Sequence, residues 1–264
     1  MNPIVNATIG ISLIFLCTSL GSAFVFFVRK KEVSPSLNQI FLGFASGIML
    51  AASTISLIMP ALEDNSTSLP SWAVVGLSVV LGAGFIWLID KLVPHIHGDK
   101  HEGLPARGMN KTSKMFLAVT IHNVPEGLAV GIAYGVALAS WSNNDPALLM
   151  GALMLAVGIG IQNIPEGAVV ALMVKGETGS NVKAFWFGVL SGAVEPVAAI
   201  FGLLLASQIQ IVMPWALAFA GGCMLYVIAE EMIPEMKGDS IHHHGVWSFI
   251  LGFVLMMVLD ISLG

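Results

Sequence analysis

The chain has 264 residues, of which 56% are hydrophobic and only 10% charged. A soluble domain carries about 25% charged residues, so this composition excludes an ordinary soluble globule and makes the lipid bilayer the expected partner. The formal net charge of −5 gathers in short loops, and no basic stripe marks a nucleic-acid surface. Cys17 and Cys223 sit inside apolar runs without a C-x-x-C motif, which excludes a disulfide framework.

A hydrocarbon core about 30 Å thick is crossed by about 20 apolar residues in helical form. Eight such runs are expected, at residues 3–28, 37–62, 71–90, 115–140, 147–174, 184–206, 211–236 and 245–261. Together they make a single all-α transmembrane domain over residues 1–264. The first run follows Met1-Asn2-Pro3-Ile4-Val5, which lacks a positive n-region, and reads as a retained helix and not a cleaved signal. Residues 91–114 form the longest loop. Pro35, Pro70, Pro94, Pro105, Pro146 and Pro214 mark breaks near helix ends. Trp72, Trp141, Trp186, Trp215 and Trp247 fall near those ends as interfacial anchors do. Gly43/Gly47, Gly127/Gly131/Gly135 and Gly188/Gly192 have the small-xxx-small spacing that lets helices approach closely, and exposed glycines of this kind leave room for a homodimer.

The basic residues set an expected topology. Arg29, Lys30, Lys31, Lys91, Lys100, Arg107, Lys111, Lys114, Lys175, Lys183 and Lys237 are all 11 of the Lys and Arg residues, and all fall in or beside the loops after helices 1, 3, 5 and 7. By the positive-inside rule those loops face the cytoplasm and both termini lie outside.

Ionisable residues in mid-membrane are costly and mark function. The fourth run carries His122-Asn123-Val124-Pro125-Glu126-Gly127 and the fifth Gln162-Asn163-Ile164-Pro165-Glu166-Gly167, with four of six positions identical at an offset of 40 residues; the sixth adds Glu195-Pro196. His122 and Glu126 are i and i+4, so they share a helix face, as do Gln162 and Glu166. Pro125 and Pro165 have no N–H for the carbonyls of Ile121 and Ile161, which predicts kinks and free backbone oxygens. At 1.5 Å per residue, His122 lies about 10 Å and Glu126 about 16 Å from the cytoplasmic surface, against about 12 Å for Glu166 and about 18 Å for Gln162. Glu195 falls near the level of Glu126. The antiparallel pair of motifs suggests an inverted-repeat bundle with its site between helices 4 and 5.

One imidazole, three carboxylates and amide oxygens, with the Met49 thioether at similar depth, suit Zn2+, Fe2+, Mn2+ or Ni2+ better than Mg2+ or Ca2+. Three carboxylates imply either two bridged ions or a carboxylate that cycles protons. The expected function is transport of a divalent transition metal, zinc first among the candidates. The alternatives are an intramembrane metalloenzyme and a metal sensor without transport. The chain has no H-E-x-x-H motif, and no Lys or Arg in mid-membrane to pair with an anionic solute.

The paired H-N-V-P-E-G and Q-N-I-P-E-G motifs resemble those of the ZIP (Zrt/Irt-like) family of divalent metal transporters, closest to its bacterial branch. The likeness extends over the whole chain, including eight helices, both ends outside and a longer loop between helices 3 and 4. It implies an inner-membrane importer of zinc, with iron, manganese or cadmium as further substrates, working by alternating access as one helix group slides against another. It also implies a first ion held by His122, Glu126, Gln162 and Glu166 with Met49, and a second completed by Asn123, Asn163 and Glu195, with Glu126 and Glu166 bridging. Many members have a second His where this chain has Gln162, which leaves the metal preference open.

Three outlying clusters have two readings each. His95, His97 and His101 either capture exiting metal weakly or belong to a solvated loop. Glu230, Glu231, Glu235 and His242 to His244 form either an acidic exit vestibule or a solvated helix end. Glu63 and Asp64 are candidate attractors at the outer entrance.

Overall fold

A computed structural model describes residues 2–28, 34–64, 66–93, 95–97, 100–102, 111–140, 146–208, 212–237 and 243–263. Eight helical rods run through it: α1 Pro3–Phe26, α2 Pro35–Glu63, α3 Ser71–Leu92, α4 Lys111–Ala139, α5 Pro146–Thr178, α6 in two pieces (Asn181–Gly192 and Val194–Gln208), α7 Met213–Lys237 and α8 His244–Leu263. Seven of them are long and apolar enough to cross a membrane. The other, α4, has 29 residues, ample for a bilayer at 1.5 Å per residue, and carries the His122 motif. The chain is an all-α, multi-pass integral membrane protein. A short antiparallel pair, β1 His95–His97 with β2 Lys100–Glu102, lies in the loop before α4.

Local sequence explains where the rods begin and end. Proline at the first position with a polar cap before it starts both α1 and α2: Ile4 N donates to Asn2 Oδ1 at 2.9 Å, and Leu37 N to Ser34 Oγ at 3.3 Å. Gly179, at φ 68°, ends α5 in the left-handed conformation that a residue without a Cβ adopts freely, and Ser180 caps α6 straight afterwards.

Five prolines lie inside the rods, and their effects differ. α4 and α5 continue as helix through Pro125 and Pro165. α2 instead widens into a π-helix over Ala52–Ile58, and α7 over Ile228–Met232. Each widening precedes a proline, Pro60 or Pro234, which cannot donate to the carbonyl four residues back. In α2 the hydroxyls of Ser53 and Thr54 also reach the Leu50 carbonyl, at 3.0 and 2.6 Å, and loosen the ladder further. α6 breaks at Ala193, ahead of Glu195-Pro196.

The rods pack as two groups of four. α4 lies along α6 and α1 along α5, while α2 lies along α8 and α3 along α7; α5 and α4 meet the second group through α2 and α7. Glycine sets the closest approaches. A Cβ on Gly131 would strike the Ala199 backbone of α6, and one on Gly47 the Phe249 carbonyl of α8. α2 and α7 are central, with 61% and 67% of their apolar windows buried, whereas α3 and α8, at 28% and 22%, turn most of theirs outward. Leu81, Phe201 and Leu251 are among the large apolar side chains on the outer face, where lipid tails replace water.

Candidate metal site

Three rods of the first group bring the repeated motifs together. Gln162 Nε2 on α5 donates to Glu126 Oε1 on α4 at 2.8 Å. The carboxyl groups of Glu126 and Glu166 lie within hydrogen-bond reach of each other, with His122 and Glu195 in Coulombic range. From α6, Glu195 joins the same cluster. Its Oε1 accepts from Asn123 Nδ2 at 3.2 Å, and Asn123 also donates to the Ser191 carbonyl at 3.1 Å. Glu126, Gln162, Asn163, Glu195 and Asn123 are all at most 3% exposed, while Glu166 and His122 are half-buried.

The donor count is uneven. Glu126 Oε2, Gln162 Oε1, Asn163 Oδ1 and Glu195 Oε2 are all buried, and none receives a hydrogen bond. All four are acceptors. Buried acceptors without donors cost about 1–3 kcal/mol each, more for a carboxylate, unless something positive sits among them. No Lys or Arg occurs between Lys114 and Lys175, nor between Lys183 and Lys237, so the stretches of α4, α5 and α6 that carry this array supply no Lys or Arg side chain. Among the described residues no three His, Cys, Asp or Glu side chains form a metal-holding group on their own. The array mixes carboxylate with amide oxygen, a donor set that accepts a divalent cation.

Two further side chains, from α7 and α1, contact it. The His122 imidazole forms an ion pair with Glu231 of α7, which is 4% exposed. A regular helix would put Glu231 and Glu235 on one face. The π-helical stretch breaks that register, so Glu231 is buried while Glu230 and Glu235 are exposed. Glu231 is therefore not part of a solvated helix end, and proline at 234 was the available signal. The second is Thr18 of α1, which donates to Glu195 Oε1 at 2.6 Å. A single threonine in an apolar run gave no hint of this.

Met49 is fully buried on α2, three residues before the π-helical stretch, and packs within the apolar core. His243 and His244 are exposed, and His242 lies outside the described residues, as do the side chains of His95, His97 and His101. Glu63 is exposed, and Asp64 caps a turn by accepting from Ser66 N at 2.6 Å.

A multi-pass helical membrane protein with such a buried acceptor array has the form of a cation transporter. A profile of the ZIP Zinc transporter family matches residues 6–115 and 112–260. Zinc transporter ZIP11 of Xenopus tropicalis is 34% identical, with 100% of this chain and 98% of that protein covered. Zinc transporter GufA of Myxococcus xanthus is 41% identical over 89% of this chain and 90% of its own. Zinc transporter ZIPB of Bordetella bronchiseptica is 33% identical over 98% and 81%. The chain belongs to the ZIP family, a family of transporters and not of enzymes.

Proposed function

We propose that this protein carries Zn2+ across a cytoplasmic membrane into the cell, through the array on α4, α5 and α6. The observation that carries the reading is the set of four buried, donor-free oxygens on Glu126, Gln162, Asn163 and Glu195. Zinc is favoured among divalent metals by the names of the relatives and by the His122 imidazole; iron, manganese and cadmium suit the same donors less specifically. His122, Glu126, Gln162 and Glu166 hold one ion, with Met49 closing it from α2. Asn123, Asn163 and Glu195 hold a second, and the Glu126 and Glu166 carboxylates bridge the two.

Alternating access follows from how the residues divide between the groups. Every proposed ligand except Met49 is on α4, α5 or α6, all in the first group, while Met49 and Glu231 belong to the second. Movement of one group past the other would carry the ions away from Met49 and toward one face, with Glu231 competing for His122 and easing release. The positive-inside rule supports an orientation with both termini outside and the basic loops in the cytoplasm, and the inward direction rests on the likeness to the ZIP family.

Zinc influx into liposomes containing the purified protein tests this reading, beside a His122→Ala/Glu166→Ala control. Saturable flux that the control lacks is the expected result. Stoichiometric zinc binding without flux would refute zinc transport and leave a metal sensor or a carrier of a different metal.

A further inference from the structure

We infer that Thr18 of α1 is a positioning residue, which aims Asn163 and Glu195 at the second cation of the two-ion site proposed above. α1 supplies none of the proposed ligands, yet Thr18 is 3% exposed and lies against two of them. Its Oγ1 donates to Glu195 Oε1 at 2.6 Å and accepts from Asn163 Nδ2 at 3.0 Å; the Ile14 carbonyl lies at 3.2 Å. A hydroxyl has one proton and two lone pairs. A distance of 2.6 Å is in the range of a hydroxyl donating to a carboxylate, so Glu195 takes the proton in preference to the longer backbone contact.

That one bond fixes the direction of two side chains. Asn163 places its amide nitrogen on Thr18 Oγ1 and on the Ile14 carbonyl, the latter at 3.4 Å. A flipped Asn163 would set its oxygen against that carbonyl, which has no proton to give, so Oδ1 is held on the opposite side, where it receives no hydrogen bond. On Glu195 the bonds from Thr18 and Asn123 converge on Oε1, and Oε2 receives none. The two donor-free oxygens are thus left for a cation by the same hydroxyl.

The seat of Thr18 is shaped by glycine on both neighbouring rods. A Cβ on Gly167 of α5 would meet the Thr18 carbonyl, and one on Gly192 of α6 its methyl group. α1 can reach the pair because those two positions lack side chains. Partners that orient metal ligands in this way are worth about 10–100-fold in metal affinity.

Calorimetric titration of the purified full-length protein with zinc chloride tests the assignment. The wild type is expected to bind two ions. Thr18→Val keeps the shape and removes the hydroxyl; it should weaken one of the two binding events by about 10–100-fold and spare the other. Thr18→Ser should retain both. In a Glu195→Gln background Thr18→Val should add little, because the two act through one bond. Thr18→Ala carries the same test should the valine variant not yield monodisperse protein. Two unchanged events in the valine or alanine variant overturn the inference, and so does a serine variant as impaired as valine, which would make the role one of packing. A wild type that binds a single zinc refutes the two-ion reading, and this role with it.

Discussion

Gln162 on α5 donates its amide to Glu126 on α4 at 2.8 Å, tying the second repeat of the polar motif to the first at one level of the bundle. With Nε2 engaged, Oε1 is the atom turned away, and it receives no hydrogen bond. Gln162 thereby offers oxygen to an ion where an imidazole would offer nitrogen. Gln162→His should tighten zinc binding by about tenfold or more, equivalent to about 1.4 kcal/mol, and slow release during turnover. Titration and flux on the same preparation would measure both; an unchanged dissociation constant would show that Gln162 is not a ligand.

Glu126 and Glu166 lie within hydrogen-bond reach of each other, and each is proposed to touch both ions. Glu126→Ala and Glu166→Ala should each abolish zinc flux while the purified protein remains monodisperse and helical by circular dichroism. Wild-type flux in either variant would rule out the bridging arrangement.

The pair between His122 and Glu231 joins the two helix groups. Glu231 is proposed to act on departure and not on capture. Glu231→Gln should therefore leave zinc affinity close to wild type and lower the maximal flux, whereas His122→Ala should weaken binding itself. Equal losses of affinity in the two variants would place Glu231 among the ligands of the bound state.

Close packing at glycine gives a stability test independent of transport. Gly131→Ala would drive its new methyl into the Ala199 backbone, while nothing lies within 4 Å of a Cβ on Gly84. Overpacking costs about 1–3 kcal/mol, so the melting temperature in detergent should fall for Gly131→Ala and hold or rise for Gly84→Ala, where Ala is the better helix former. Equal melting temperatures would contradict the close α4–α6 seam.

Much of this was legible in the chain before its structure. Apolar runs of bilayer length located the eight rods, because a membrane allows few other forms. The meeting of Glu126 with Gln162 followed from the rise per residue and the antiparallel order of the motifs. What escaped depended on broken periodicity or on neighbours distant in sequence. Glu231 read as one of three acids at the end of α7, in either an exit vestibule or a solvated helix end, and the π-helical stretch before Pro234, which turns it inward, was not legible. Pro125 and Pro165 sit inside helices that continue past them, whereas α6 breaks at Ala193, which no proline occupies. Thr18 resembled any membrane threonine bonded to the carbonyl four residues back, since its partner Glu195 is 177 residues away.

The most direct test of the central claim is diffraction from zinc-loaded crystals at the zinc absorption edge. Anomalous density between Glu126 and Glu166, with a second peak toward Asn163 and Glu195, is the predicted result. Density confined to the histidines of the loops, with none among the buried carboxylates, would contradict it.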